Sequence, residues 1–221
     1  MMNPYDWQDA MQNRIAYILN RLEKGAPVLA VSLEAGILIL TYRRQSQKIF
    51  ELYDRLGFAG LGQQSDVESI RVMAIEFAHK EGFTRSEKDV TVQRVVTAVS
   101  APIKKAFADF SYSPILAISV FAELGSSPEQ DSFFVVDFDG DYHLHKQSAI
   151  LSGRSSSKSV LHEVIPPKTS VDKAVQLLQS EWMKLASLDG EIEVSMDDLT
   201  PEIMLMERHT AREDIFRSIA T

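Results

Sequence analysis

A chain of 221 residues with 45% hydrophobic and 24% charged residues is long and apolar enough to bury a sizeable core as one globular domain. Its net charge of -8 works against nucleic acid or an anionic membrane surface as a partner, and the absence of cysteine removes disulfides, thiolate metal sites and cysteine nucleophiles together. No apolar run reaches the ~18 residues of a membrane span, and Asp6 and Asp9 stand where a secretory signal would carry basic residues, so the sequence reads as a soluble cytoplasmic protein.

The first periodic segment predicts a helix over 6–24, with Met11, Ile15, Ile18, Leu19 and Leu22 on one face and Gly25 closing its C-terminus. Two runs rich in Val, Ile and Leu follow, 27–33 and 36–43, joined by Glu34-Ala35 as a hairpin. Their near-continuous apolar character predicts a sheet covered on both faces. A second strand pair is expected over 48–53 and 56–61, turning at Asp54-Arg55. Ser65 and Glu68 form an S-x-x-E capping box, which predicts a helix that buries Ile70, Met73, Ala74, Phe77 and Ala78 and ends at Gly82.

A further helix is expected over about 86–110, with Val92, Val95, Val96, Val99, Ile103 and Phe107 inward and Pro102 kinking or interrupting it. From Pro114 the period returns to two. Strands are predicted over 115–124, 132–138 and 142–147, with Asp139-Gly140 as a tight hairpin turn, and a short one over 149–151. Helices follow near 156–164 and over 171–185, the first broken by Pro166-Pro167 and the second burying Ala174, Leu177, Leu178 and Leu185. Strands over 191–194, 203–207 and 215–219 close the chain. Helix pairs between blocks of antiparallel strands suit two stacked sheets between two helix layers, an α/β architecture in one domain.

Few local patterns carry chemistry. The stretch 152–159 lacks the spacing of a phosphate loop, and its hydroxyls read as helix caps. His143 and His145 share a strand face without an acidic ligand at a matching position, which reads as an exposed hairpin face. Asp137, Asp139 and Asp141 flank Gly140 in a turn. No metal site and no cofactor is expected.

The string Gln47-Lys48-Ile49-Phe50-Glu51-Leu52-Tyr53-Asp54-Arg55-Leu56-Gly57-Phe58-Ala59, with Glu81-Gly82-Phe83, Lys88-Asp89-Val90-Thr91 and the element order, resembles the bacterial proteasome family, in particular its α-type chains. The likeness implies the four-layer αββα sandwich of N-terminal-nucleophile hydrolases over residues 26–221, preceded by a gate segment and ring-face helix over residues 1–25. Catalytic β-type relatives attack peptide bonds with an N-terminal threonine whose own amine activates the hydroxyl, tuned by an acidic residue and a lysine. Laying the first hairpin on that pattern without gaps puts Ala26 at the threonine and Tyr42 at the acid.

Resemblance therefore implies a non-catalytic α-type subunit of a core particle, forming a seven-membered outer ring on rings of catalytic β-type chains. The same resemblance makes Lys48, with Gly25, the docking site for the C-terminal carboxylate of a ring ATPase or other activator. It makes Met1, Met2, Asn3, Pro4 and Tyr5 the gate, with Tyr5-Asp6 resembling part of the family's Tyr-Asp-Arg gate motif and Trp7 replacing the arginine. Two rival readings remain: a diverged N-terminal-nucleophile threonine-type peptidase that processes itself elsewhere, and a stand-alone homo-oligomeric scaffold.

Overall fold

A computed structural model describes residues 4–154, 161–187, 198–212 and 214–219. The expected strand over 191–194, the first half of the helix near 156–164, and Met1, Met2 and Asn3 lie outside the described residues. The elements in chain order are α1 (Pro4–Glu23), β1 (Val28–Leu33), β2 (Gly36–Arg43), β3 (Ile49–Tyr53), β4 (Leu56–Gly62), α2 (Gln64–Thr84) and α3 (Val92–Ala108). Then come β5 (Ala117–Glu123), β6 (Ser132–Val136), β7 (Tyr142–His145), β8 (Ser148–Leu151), α4 (Leu161–Val164), α5 (Val171–Ser187), β9 (Thr200–Glu207) and β10 (Phe216–Ser218).

The strands form two five-stranded antiparallel sheets, in the orders β10-β9-β2-β1-β8 and β3-β4-β5-β6-β7. Alternation along each strand sends one set of side chains between the sheets and the other under a helix layer. Val28, Ala30, Ile37 and Ile39 meet Ala59, Leu61, Val120 and Phe133 between the sheets. Leu29, Val31, Leu38 and Leu40 pack under Ala174, Leu178 and Trp182 of α5. Phe58 and Phe121 pack under Val67, Ile70 and Ala74 of α2 and Val95, Val96 and Val99 of α3. The molecule is thus a four-layer αββα sandwich, and strands buried on both faces explain the unbroken apolar runs.

Helix α1 closes one end of this sandwich. Ile18 and Leu22 enter the inter-sheet core, whereas Leu19, expected on the same face, is exposed. The Arg14 guanidinium donates to the carbonyls of Ala106 at 2.8 Å and Tyr112 at 3.0 Å, at the C-terminal end of α3, where helix carbonyls lack partners of their own. The opposite end is fastened by a buried ion pair. Arg208 donates to both oxygens of Asp131 at 2.8 and 2.7 Å and to Leu33 O at 3.0 Å, and Asp131 also accepts from Gly125 N and the Ser32 hydroxyl.

Several expected boundaries move for physical reasons. The Ser65–Glu68 capping box does not form: α2 starts at Gln64, Ser65 lies inside its first turn, and Glu68 pairs with Arg71. Sheet contacts set that start instead, since Asp66 accepts from Leu116 N at 2.7 Å and Gln63 N donates to Leu116 O at 2.7 Å. Helix α2 runs past Gly82, whose hydrogen leaves room for the Tyr53 hydroxyl. A short 3-10 turn, Glu87–Asp89, capped by Ser86, separates it from α3, which continues through Pro102 because Val95, Val99 and Ile103 anchor both halves. Strand β6 stops at Val136, and a turn over 137–141 with Gly140 at φ 85° replaces the expected tight hairpin. Strand β9 begins three residues early, at Thr200. It takes in Pro201, whose missing donor is harmless where β10 does not reach.

Candidate functional site

The site is built where β1 begins. Helix α1 ends at Glu23, Gly25 N donates to Leu22 O at 2.8 Å, and the chain passes through Ala26 and Pro27 into β1. A Cβ at Gly25 would stand 2.6 Å from Leu61 Cδ2, so the residue is fixed by close approach to β4 as well as by its place at a helix end. Pro27 O accepts from the Thr41 hydroxyl at 2.7 Å and from the Trp182 indole at 2.8 Å, which ties the head of β1 to β2 and α5. The β1–β2 register sets Thr41 opposite Val28 and brings Tyr42 beside the 26–27 segment. Tyr42 is buried, its ring 4.3 Å from that of Trp182, and burial raises its phenol pKa against a hydrogen bond to Gln179.

Lys48 completes the arrangement from the link between β2 and β3. Its ammonium donates to Ala26 O at 3.4 Å. Beneath it, the Glu202 carboxylate of β9 accepts from the backbone N–H of Lys48 at 3.0 Å and of Ile49 at 2.9 Å, and Arg43 Nε lies 3.6 Å away. Burial pushes the Lys48 ammonium down to about 8, against the opposing pull of Glu202. Burial likewise raises the Glu202 pKa, although its two backbone donors, Arg43 and Lys48 oppose this. Desolvation outweighs mutual attraction for both groups.

Gly25, Ala26, Tyr42 and Lys48, separated in the sequence, line one open cavity of about 840 Å³. Trp182, Leu185 and Leu199 form an apolar wall, and Lys24, Arg44 and Arg154 add basic groups, with no acidic residue among the described residues lining it. At the head of β1, Ala26 and Tyr42 bring a methyl group and an aromatic ring to the cavity. The arrangement is suited to holding an anion against an apolar surface.

Residues 23–188 match the family described as proteasome subunit. The chain belongs to the proteasome subunit family. It is similar to the "proteasome subunit alpha" of Thermobifida fusca, 26% identical over 88% of this chain and 72% of that one. It is likewise similar to the protein of that name in Jonesia denitrificans, 24% identical over 97% of this chain and 92% of the relative. Its likeness to the one in Xylanimonas cellulosilytica is 30% over 62% of this chain and 58% of the relative. The two sheets between helix layers are those of a proteasome-family sandwich.

The other sequence-derived positions of this proteasome-family chain fall elsewhere. Pro4 and Tyr5 belong to the first turn of α1, proline being well suited to the first helical position, so the helix expected from Asp6 begins at Pro4. His143 and His145 are exposed on β7, Asp137, Asp139 and Asp141 shape the turn before it, and no metal-holding group of acidic and histidine residues occurs among the described residues. No described helix is long and apolar enough to cross a membrane. Two residues of the site escaped sequence reasoning, Glu202 and Trp182. Each acts on a partner more than 150 positions away, and no local pattern marks either.

Proposed function

We propose that this chain is a non-catalytic α-type subunit of a proteasome core particle in the cytoplasm. It forms an outer ring, of seven copies by resemblance to the family, that stacks on rings of β-type catalytic chains. The observation that carries the reading is the junction of α1 and β1: Ala26 supplies no hydroxyl, while Ile18 and Leu22 on its N-terminal side are core residues. A segment that fills the core is a poor candidate for a removable propeptide, and without its removal no N-terminal amine arises at β1. Residues 1–25 serve as gate segment and ring-face helix on the 26–221 domain, with Met1, Met2, Asn3, Pro4 and Tyr5 at the pore.

The pocket around Lys48 and Gly25 receives the C-terminal carboxylate of a ring ATPase or other activator. A half-buried ammonium and an incoming carboxylate form a charge-assisted hydrogen bond, stronger than an exposed pair. Tail binding there shifts the gate toward open by its differential affinity for that state. The test is co-expression with a β-type chain, followed by sizing and peptide hydrolysis. A stacked assembly whose activity resides in the β-type chain, with activator stimulation lost on Lys48→Ala, is expected. Peptidase activity from this chain alone, blocked by a threonine-directed inhibitor, would replace the reading with an active enzyme.

A further inference from the structure

The charge around the cavity goes beyond what one terminal carboxylate requires. Lys48 lies at the floor, while Lys24, following α1, and Arg44, following β2, stand at the rim. Both rim residues are exposed, and neither makes an ion pair or side-chain hydrogen bond among the described residues. Glu202, beneath Lys48, is already engaged by two backbone N–H groups and Arg43. On a chain of net charge -8, a mouth with several cations and no acid among the described residues that line it is a local reversal of sign. A cavity of about 840 Å³ is large enough for several residues of an extended tail. The apolar wall of Trp182, Leu185 and Leu199 offers their side chains a surface to cover.

We propose that this pocket selects a peptide tail bearing a second negative charge within its last three residues, the terminal carboxylate at Lys48 and the acidic side chain between Lys24 and Arg44. The inference rests on the tail-docking reading and deepens it by naming the partner's chemistry. The rim cations also steer such a tail toward the mouth, so recognition weakens steeply with salt.

The test uses the full chain and fluorescein-labelled eight-residue peptides ending in leucine, with glutamate or glutamine at either of the two preceding positions and a free or amidated C-terminus. Binding is followed by anisotropy. Glutamate at one of these positions is expected to tighten binding about three- to fivefold over glutamine, the range set by exposed ion pairs. That preference is expected to vanish in the Lys24→Ala/Arg44→Ala variant. Because both side chains are exposed, the variant should keep the parent's thermal unfolding; if it does not, the glutamate–glutamine comparison on the unaltered chain decides alone. Equal binding of the two at both positions, with amidation still weakening binding, overturns this inference and leaves tail docking in place. A preference that survives in a folded double variant overturns the assignment to Lys24 and Arg44. Insensitivity to both amidation and the acidic residue overturns the docking reading itself.

Discussion

Raising the pH across the neutral range should loosen tail docking in a way that an ordinary surface lysine would not. Lys48 has its ammonium pushed down from 10.5 to about 8 by burial. If only the charged form holds a carboxylate, the apparent dissociation constant scales as one plus ten to the power of the pH minus that pKa. Between pH 7 and pH 9 this weakens binding about tenfold, whereas a lysine at its ordinary value would change it by only a few per cent. Among the described residues, the charged or titratable groups around it are Glu202 on β9, Arg43 at the end of β2, Tyr42 on β2 with its pKa raised, and Lys24, Arg44 and Arg154 along the cavity. The arginines keep their charge throughout this range. Anisotropy titrations of a labelled peptide with a free C-terminus, set against its amidated twin, give the measurement. A dissociation constant flat from pH 7 to pH 9 would refute the argument.

The same depressed pKa has an opposite consequence for folding. The folded value lies below the unfolded one, so the unfolded chain binds more protons between about pH 8 and 10.5, and stability rises with pH through that window. Lys48→Met should therefore raise the melting temperature at neutral pH while abolishing tail binding.

The far end of the sandwich and the head of β1 give two more expectations. Arg208→Ala leaves the Asp131 carboxylate buried with only Gly125 N and the Ser32 hydroxyl, and should cost about 3–5 kcal/mol, seen as a melting temperature lower by roughly 6–20 °C; a loss under ~1 kcal/mol would show the pair to be dispensable. Ala26→Thr restores a hydroxyl beside the Lys48 ammonium but not a free amine, so neither peptide hydrolysis nor adduct formation with a threonine-directed electrophile is expected by intact mass.

How much could be read from sequence depended on whether the determinant was local. Strands β1 to β4 are written in apolar runs bounded by Glu34-Ala35 and Asp54-Arg55, turns that need no distant partner. The meeting of Ala26, Tyr42 and Lys48 followed from the hairpin register plus one long motif. The start of α2 was misread because Ser65 and Glu68 satisfy a local rule, whereas Leu116, about fifty positions away, decides where the helix begins. Pro201 sits in β9 beyond the reach of β10, a tolerance that only the assembled sheet reveals. Glu202 and Trp182 could not be found at all: a carboxylate under a backbone turn and an indole on a carbonyl exist only once the sheets and α5 have assembled.

The strands at the margins have a consequence for copies of this chain that crowd together. β10 has three residues, β7 and β8 four each, and β3 five, with the outward amide of Ile49 already taken by Glu202. Among the described residues no border offers a ladder long enough to recruit a stray strand. Copies crowded during synthesis are thus steered away from open-ended cross-β growth.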